Sequence, residues 1–335
     1  MEFWILLLSL VVILLGAQAF TNALEHLGER LGISEGVTGS IFAAVGTALP
    51  ETMVPIVAVL GSSGALEVRH DVGVGAILGA PLMLSTLSLF LMGAFAAQVR
   101  GWAGPFSPEP TGLNRDLNWF LLAFGIGIAA VFIPFEWKVA RVSVALVLTM
   151  IYVLYLFITI QASRALVKQG HGTEADQPLY LSRIGLPKNS GTILVQLVVG
   201  LGLIIVGAKG FVFGVEHLAS WLGISALALS LLIVPVATEL PEKVNSIIWV
   251  RRGRDTLAFG NITGAMVFQG SLLPALGILL TPWAPRKEVL LGMGVTVLAT
   301  TYLLLLVRRG SLKPYHLVWN GLCYGVFVLM VVIID

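Results

Sequence analysis

Residues 16–51 read GAQAFTNALEHLGERLGISEGVTGSIFAAVGTALPE, and residues 207–242 read GAKGFVFGVEHLASWLGISALALSLLIVPVATELPE. Without a gap, Gly16, Ala17, Phe20, Glu25-His26-Leu27, Leu31-Gly32-Ile33-Ser34, Thr47 and Leu49-Pro50-Glu51 return 191 positions later. They recur as Gly207, Ala208, Phe211, Glu216-His217-Leu218, Leu222-Gly223-Ile224-Ser225, Thr238 and Leu240-Pro241-Glu242. Farther on, Gly75-xxx-Gly79 matches Gly260-xxx-Gly264 at a shift of 185, so the turn between motifs is longer in the first half. Self-similarity of this extent decides the architecture: the chain is two copies of one unit.

The copies are built for a membrane. Of 335 residues, 57% are hydrophobic and 11% charged, far from the roughly half apolar, quarter charged mix of soluble domains. The apolar runs reach about 20 residues and are apolar on every face, which describes spanning helices and not the alternating strands of a barrel. Ten are expected, near 3–24, 37–60, 72–98, 116–134, 139–162, 191–213, 224–249, 258–281, 288–307 and 315–334. They give an N-terminal half at 1–162, a connecting loop at 163–190 and a C-terminal half at 191–335.

Five crossings per half is an odd number, so the copies enter the membrane from opposite sides and form an inverted pair. Transporters built this way hold their substrate near the midplane, on helices interrupted by Pro or Gly. Pro50 and Pro241 fall in the middle of runs 2 and 7, where each removes a backbone donor and loosens a helical turn. A carboxylate at that depth costs on the order of 2.5–3.5 kcal/mol even on lenient scales. The pseudo-twofold axis is therefore expected to bring Glu51 and Glu242 face to face for a purpose.

Other features carry less. The first run ends in Ala17-Gln18-Ala19, like a signal peptide, but its leading charge is Glu2 and it has a counterpart in the second half, so it is read as helix 1. With the N-terminus outside, Arg30, Arg100, Arg115, Arg164, Lys168, Arg183, Lys188, Arg251, Arg252, Arg254, Arg308, Arg309 and Lys313 fall in inside turns. Only Arg69, Lys138, Arg141, Arg286 and Lys287 fall outside, so both termini are expected outside. The single cysteine, Cys323, allows no intramolecular disulfide and no zinc spacing. The net charge of +2 is carried by turns and gives no nucleic-acid reading. Trp102, Trp137, Trp221, Trp249, Trp283 and Trp319 sit near run ends, as an aromatic belt would. The two Gly-xxx-Gly pairs read as surfaces that let helices 3 and 8 approach the acidic helices, and the Glu-His pairs as helix-end residues solvated at the interface.

At its acidic motifs the chain resembles the calcium/cation antiporter superfamily, the sodium/calcium exchangers and their relatives. Their two alpha-repeats carry a G-T-S-L-P-E core, matched by Gly46-Thr47-Ala48-Leu49-Pro50-Glu51 and Ala237-Thr238-Glu239-Leu240-Pro241-Glu242. The resemblance implies an all-α membrane protein of about ten transmembrane helices in two inverted-topology five-helix repeats, the sodium/calcium exchanger fold. It implies a secondary active antiporter exchanging calcium or a related cation for sodium or protons by alternating access, not an enzyme and without a cofactor. Glu51 and Glu242 would be the central metal ligands, with Thr47 and Thr238 adding oxygens. The expected surroundings are the lipid bilayer of the cell (inner) membrane; homo-oligomerisation is left open.

Departures from the family pattern bear on the counter-ion. The core serine is Ala48 in one copy and Glu239 in the other, and later ligand positions read Ala80, Leu84, Ala265 and Gln269. Several oxygen donors of a sodium/calcium exchanger are missing, and protons need no such cage. Glu239 reads as a third ligand, a pathway residue, or half of a structural pair with Lys243 four positions on. Gln269 reads as a ligand by position, with interhelical hydrogen bonding as the alternative. A cation channel or ion sensor retaining the fold is the competing function.

Overall fold

The computed structural model describes residues 2–30, 48–61, 65–167 and 177–334, and every regular element among them is helical. In chain order these are α1 (Glu2–Arg30), α2 (Leu49–Gly61), α3 (Leu66–Met83), a π-helical segment (Leu84–Ser88), α4 (Leu89–Arg100), α5 (Pro110–Ala130), α6 (Lys138–Val167) and α7 (Tyr180–Arg183). There follow α8 (Ser190–Leu222), α9 (Ala226–Thr238), α10 (Leu240–Arg251), α11 (Asp255–Leu280), α12 (Lys287–Arg308), a 3-10 turn (Pro314–Leu317) and α13 (Val318–Ile334). Seven helical stretches among the described residues are long and apolar enough to cross a membrane. α5 is less apolar, since Asn114, Arg115, Asp116 and Asn118 occupy its first turns.

The expected run at 224–249 is two helices. Ser225 caps α9, its Oγ accepting from the Ala228 N–H at 3.1 Å. Pro241 lacks an N–H and crowds the preceding turn, which kinks or breaks a helix, but proline suits a first turn. The chain therefore breaks at Glu239 (φ −91°, ψ 11°) and restarts as α10 with Leu240-Pro241. In the first copy, α2 likewise begins at Leu49-Pro50; the start of the expected run at 37–60 lies outside the described residues.

The described chain forms two compact units, each drawing on both sequence halves: residues 1–62 with 153–214, and residues 63–152 with 215–335. In the first unit, α1 and α8 meet backbone to backbone. A Cβ added to Gly16 would lie 2.8 Å from the Gly200 carbonyl oxygen and 2.9 Å from the Ile204 nitrogen; one added to Gly207 would lie 2.9 Å from the Ser9 oxygen and 3.0 Å from the Ile13 nitrogen. These are the same contact twice, because Gly16 and Gly207, Ile13 and Ile204, and Ser9 and Gly200 are each 191 positions apart. Within this unit His26 is buried, not solvated: its ring nitrogens meet Glu29 Oε2 at 3.1 Å and the Gln177 carbonyl at 3.0 Å. Asn22 accepts from the Tyr180 N–H and from Gln196 Nε2, so three buried polar side chains anchor the chain around α7.

In the second unit, α3 lies along α9. A Cβ on Gly75 would fall 2.5 Å from Ser230 Cβ, and one on Gly79 would fall 2.5 Å from Pro235 Cγ and 2.6 Å from the Leu231 carbonyl oxygen. This is the close approach expected of the first glycine pair. In the second pair, a Cβ on Gly260 meets nothing within 4 Å among the described residues. Two residues read as surface features are structural. Arg141 is buried and donates to the carbonyls of Ile278, Thr281 and Pro282 (2.9 Å for the last), closing the C-terminal end of α11. Trp283 belongs to no belt: it is 1% exposed and donates through Nε1 to the Gly127 carbonyl at 3.0 Å.

Candidate cation site

The first acidic motif places Glu51 in the first turn of α2, 2% exposed. Ala48, at the family's serine position, is also buried, and its carbonyl accepts from Thr52 Oγ1 at 2.8 Å. Thr47 lies outside the described residues. In the second motif Glu242 occupies the first turn of α10, and its side chain is outside what the structure describes. Thr238 ends α9 with its hydroxyl buried, donating to the Val234 carbonyl at 3.1 Å and keeping its lone pairs for acceptance.

The break between α9 and α10 gathers Glu239, Lys243 and Gln269. Glu239 is fully buried; its Oε2 lies 3.5 Å from Lys243 Nζ, and its Oε1 accepts from Gln269 Nε2 at 3.4 Å. Lys243 is 6% exposed and also donates to the Pro235 carbonyl at 3.1 Å. Gln269, on α11, is 2% exposed, and its Oε1 has no hydrogen-bond partner among the described residues. Of the readings open for Glu239, the structure brings out the pair with Lys243. Among the described residues no three His, Cys, Asp or Glu side chains gather as a metal cluster.

The α3 side of this unit carries hydrocarbon where the family motif has donors: Ala80 is 1% exposed and Leu84 fully buried. Leu84 opens the π-helical segment, a form that often marks function. There the Ser85 and Thr86 hydroxyls both donate to the Leu82 carbonyl, and Asn320 Nδ2 donates to the Ser85 carbonyl at 2.7 Å. The sequence reading missed two further buried polar links. Thr263 Oγ1 donates to Asp116 Oδ2 at 2.9 Å, joining α11 to α5. Arg100 forms two 2.7 Å bonds to Asp255 and a third, at 2.6 Å, to the Val250 carbonyl. The only signal for these was a charge or hydroxyl near a run end, which solvent explains equally well.

A sequence profile of the sodium/calcium exchanger protein family matches residues 1–161 and 192–333. The chain belongs to that family. It is thus an integral membrane cation exchanger and not an enzyme. Its relatives include the inner membrane protein YrbG of Escherichia coli, 28% identical over 280 residues (83% of this chain, 79% of that one). The sodium/calcium exchanger MaX1 of Methanosarcina acetivorans is 26% identical over 347 residues, covering 99% of this exchanger and 98% of that one. Among solved structures, the H+/Ca2+ exchanger CAX superposes with a TM-score of 0.72 at 14% identity, covering 99% of this chain and 87% of that one. The sodium-calcium exchanger NCX_Mj superposes with a TM-score of 0.60 at 20% identity, covering 98% of each. The exchanger therefore has the fold of two inverted five-helix repeats, to which the paired α1–α8 glycine contact also conforms.

Proposed function

We propose that the exchanger is a secondary antiporter that moves calcium, or a related cation, against protons by alternating access. Glu51 and Glu242 are the carboxylates that hold the cation, with Thr47 and Thr238 supplying further oxygens. The observation that carries this reading is the duplicated Leu-Pro-Glu motif, whose first glutamate is buried in the opening turn of the apolar helix α2. A hard cation such as calcium takes six to eight oxygens at about 2.3–2.6 Å, and carboxylates, hydroxyls and carbonyls freed at helix breaks are the donors that fit.

The choice of protons rests on the donors that are absent. Ala80 and Leu84 offer no oxygen, and the Gln269 amide is turned toward Glu239, so a full set of separate sodium cages lacks material. Sodium is the second reading, favoured by the Leu-Pro-Glu core and by the name of the Methanosarcina relative. The basic-residue bias supports termini on the outside, and the name of the Escherichia coli relative supports the cell (inner) membrane.

Reconstitution in sealed liposomes tests this. An imposed calcium gradient should drive proton movement in sodium-free buffer. Calcium uptake that requires opposing sodium and moves no protons would transfer the protein to the sodium-coupled reading. Calcium flux indifferent to any counter-ion on the far side would make it a channel.

A further inference from the structure

We propose that the Lys243 ammonium is a tethered cation, held in the ligand cage where α9 gives way to α10, and that it takes the place of one monovalent ion in the exchange cycle. This rests on the antiport reading above. Nζ sits between the Pro235 carbonyl, 3.1 Å away in the last turn of α9, and Glu239 Oε2 at 3.5 Å. A carboxylate and a carbonyl at the C-terminal end of a broken helix are the donors with which discontinuous transport helices coordinate Na+ or H+. The negative end of the α9 dipole adds to the attraction.

Here that cage is filled by a compact point charge on a flexible stem, one helical turn from the carboxylate it neutralises. Gln269 Nε2 holds the other carboxylate oxygen. A cation covalently attached to α10 cannot be released to either side of the membrane. The Glu239 charge is therefore balanced without an ion drawn from solution, and each cycle carries one counter-ion charge fewer than it would with Glu239 open. A lysine serving only as a structural partner would leave that number untouched, since a buried pair can simply offset its own desolvation.

The test reads the balance point: the calcium gradient at which net flux stops under a fixed counter-ion gradient, with the membrane potential clamped at zero. Proton and sodium gradients are imposed in separate arms. Lys243→Met opens Glu239 to a transported monovalent ion, so the balance point should move by one further factor of the imposed gradient. Lys243→Arg, which keeps the fixed charge, should balance where the parent does. A folded Lys243→Met variant with the parent's balance point overturns the inference and leaves antiport standing. A parent whose calcium flux ignores both gradients overturns antiport and this inference together. Should Lys243→Met fail to fold, Lys243→Gln, which also removes the fixed charge and leaves Glu239 ionisable, decides: a balance point moved by one factor of the gradient supports a tethered cation, and the parent's balance point overturns it.

Discussion

At the residue scale, the proposed site and the stability of the fold rest on different charges. Under the proposed function, Glu51→Gln and Glu242→Gln each remove a charge that the cation would need once it has shed water. Both variants should reach the membrane folded and lose exchange; parental rates of calcium uptake in liposomes from either one would remove it from the site. Arg100→Ala acts elsewhere. It strands Asp255, 4% exposed, without the guanidinium that meets both of its oxygens. Breaking a buried pair from one side costs about 3–5 kcal/mol, so thermal unfolding in detergent should show a clear loss of stability. Another carboxylate is settled by its helix: Glu109 caps α5, and although burial opposes its charge, the N–H groups of Gly112 and Thr111 hold its carboxyl below the usual range.

At the scale of elements, the first glycine pair makes a sharp demand. Gly79→Val would push a side chain into Pro235 and the Leu231 carbonyl, and overpacking of this kind costs about 1–3 kcal/mol or more. Gly260→Ala meets open space and trades glycine for the best helix former, a gain of up to about 1 kcal/mol. Melting the two variants side by side should separate them in sign; equal destabilisation would show that the α3–α9 approach is not what the first pair secures. Much at this scale was legible in the sequence. The repeat, the apolar runs and the interruption at Pro241 all follow from residue order, because hydropathy and proline geometry act locally. What escaped was set by distant partners. Nothing near Arg141 says that it closes a helix whose last turn is 137 residues away, and Trp283 looked like a belt residue until its partner, the Gly127 carbonyl, came into view. The break falling on Glu239 was legible from Pro241, whereas the ammonium resting there depended on which rotamer Lys243 adopts.

At the scale of the whole molecule, two members of the positive-inside count, Arg100 and Arg141, are committed to internal bonds; they were counted on opposite sides, so each side of the count loses one. The Gly16 and Gly207 contacts have a different consequence. A surface in which residue i meets residue j while the counterpart of i meets the counterpart of j is the signature of a two-fold homodimer. Here one chain makes it with itself, so the patch is self-complementary between modules and does not need the covalent link to specify it. The two five-helix modules, produced as separate polypeptides divided within residues 168–176, should therefore copurify after co-expression and recover cation exchange when reconstituted together. Replacing Gly16 or Gly207 by leucine should weaken the reassembled pair, since either bulky side chain would strike the other module's backbone; a lowered melting temperature of the copurified pair is the readout. Viewed this way, the α1–α8 backbone contact is an interface by which two half-length subunits could recognise each other without being fused.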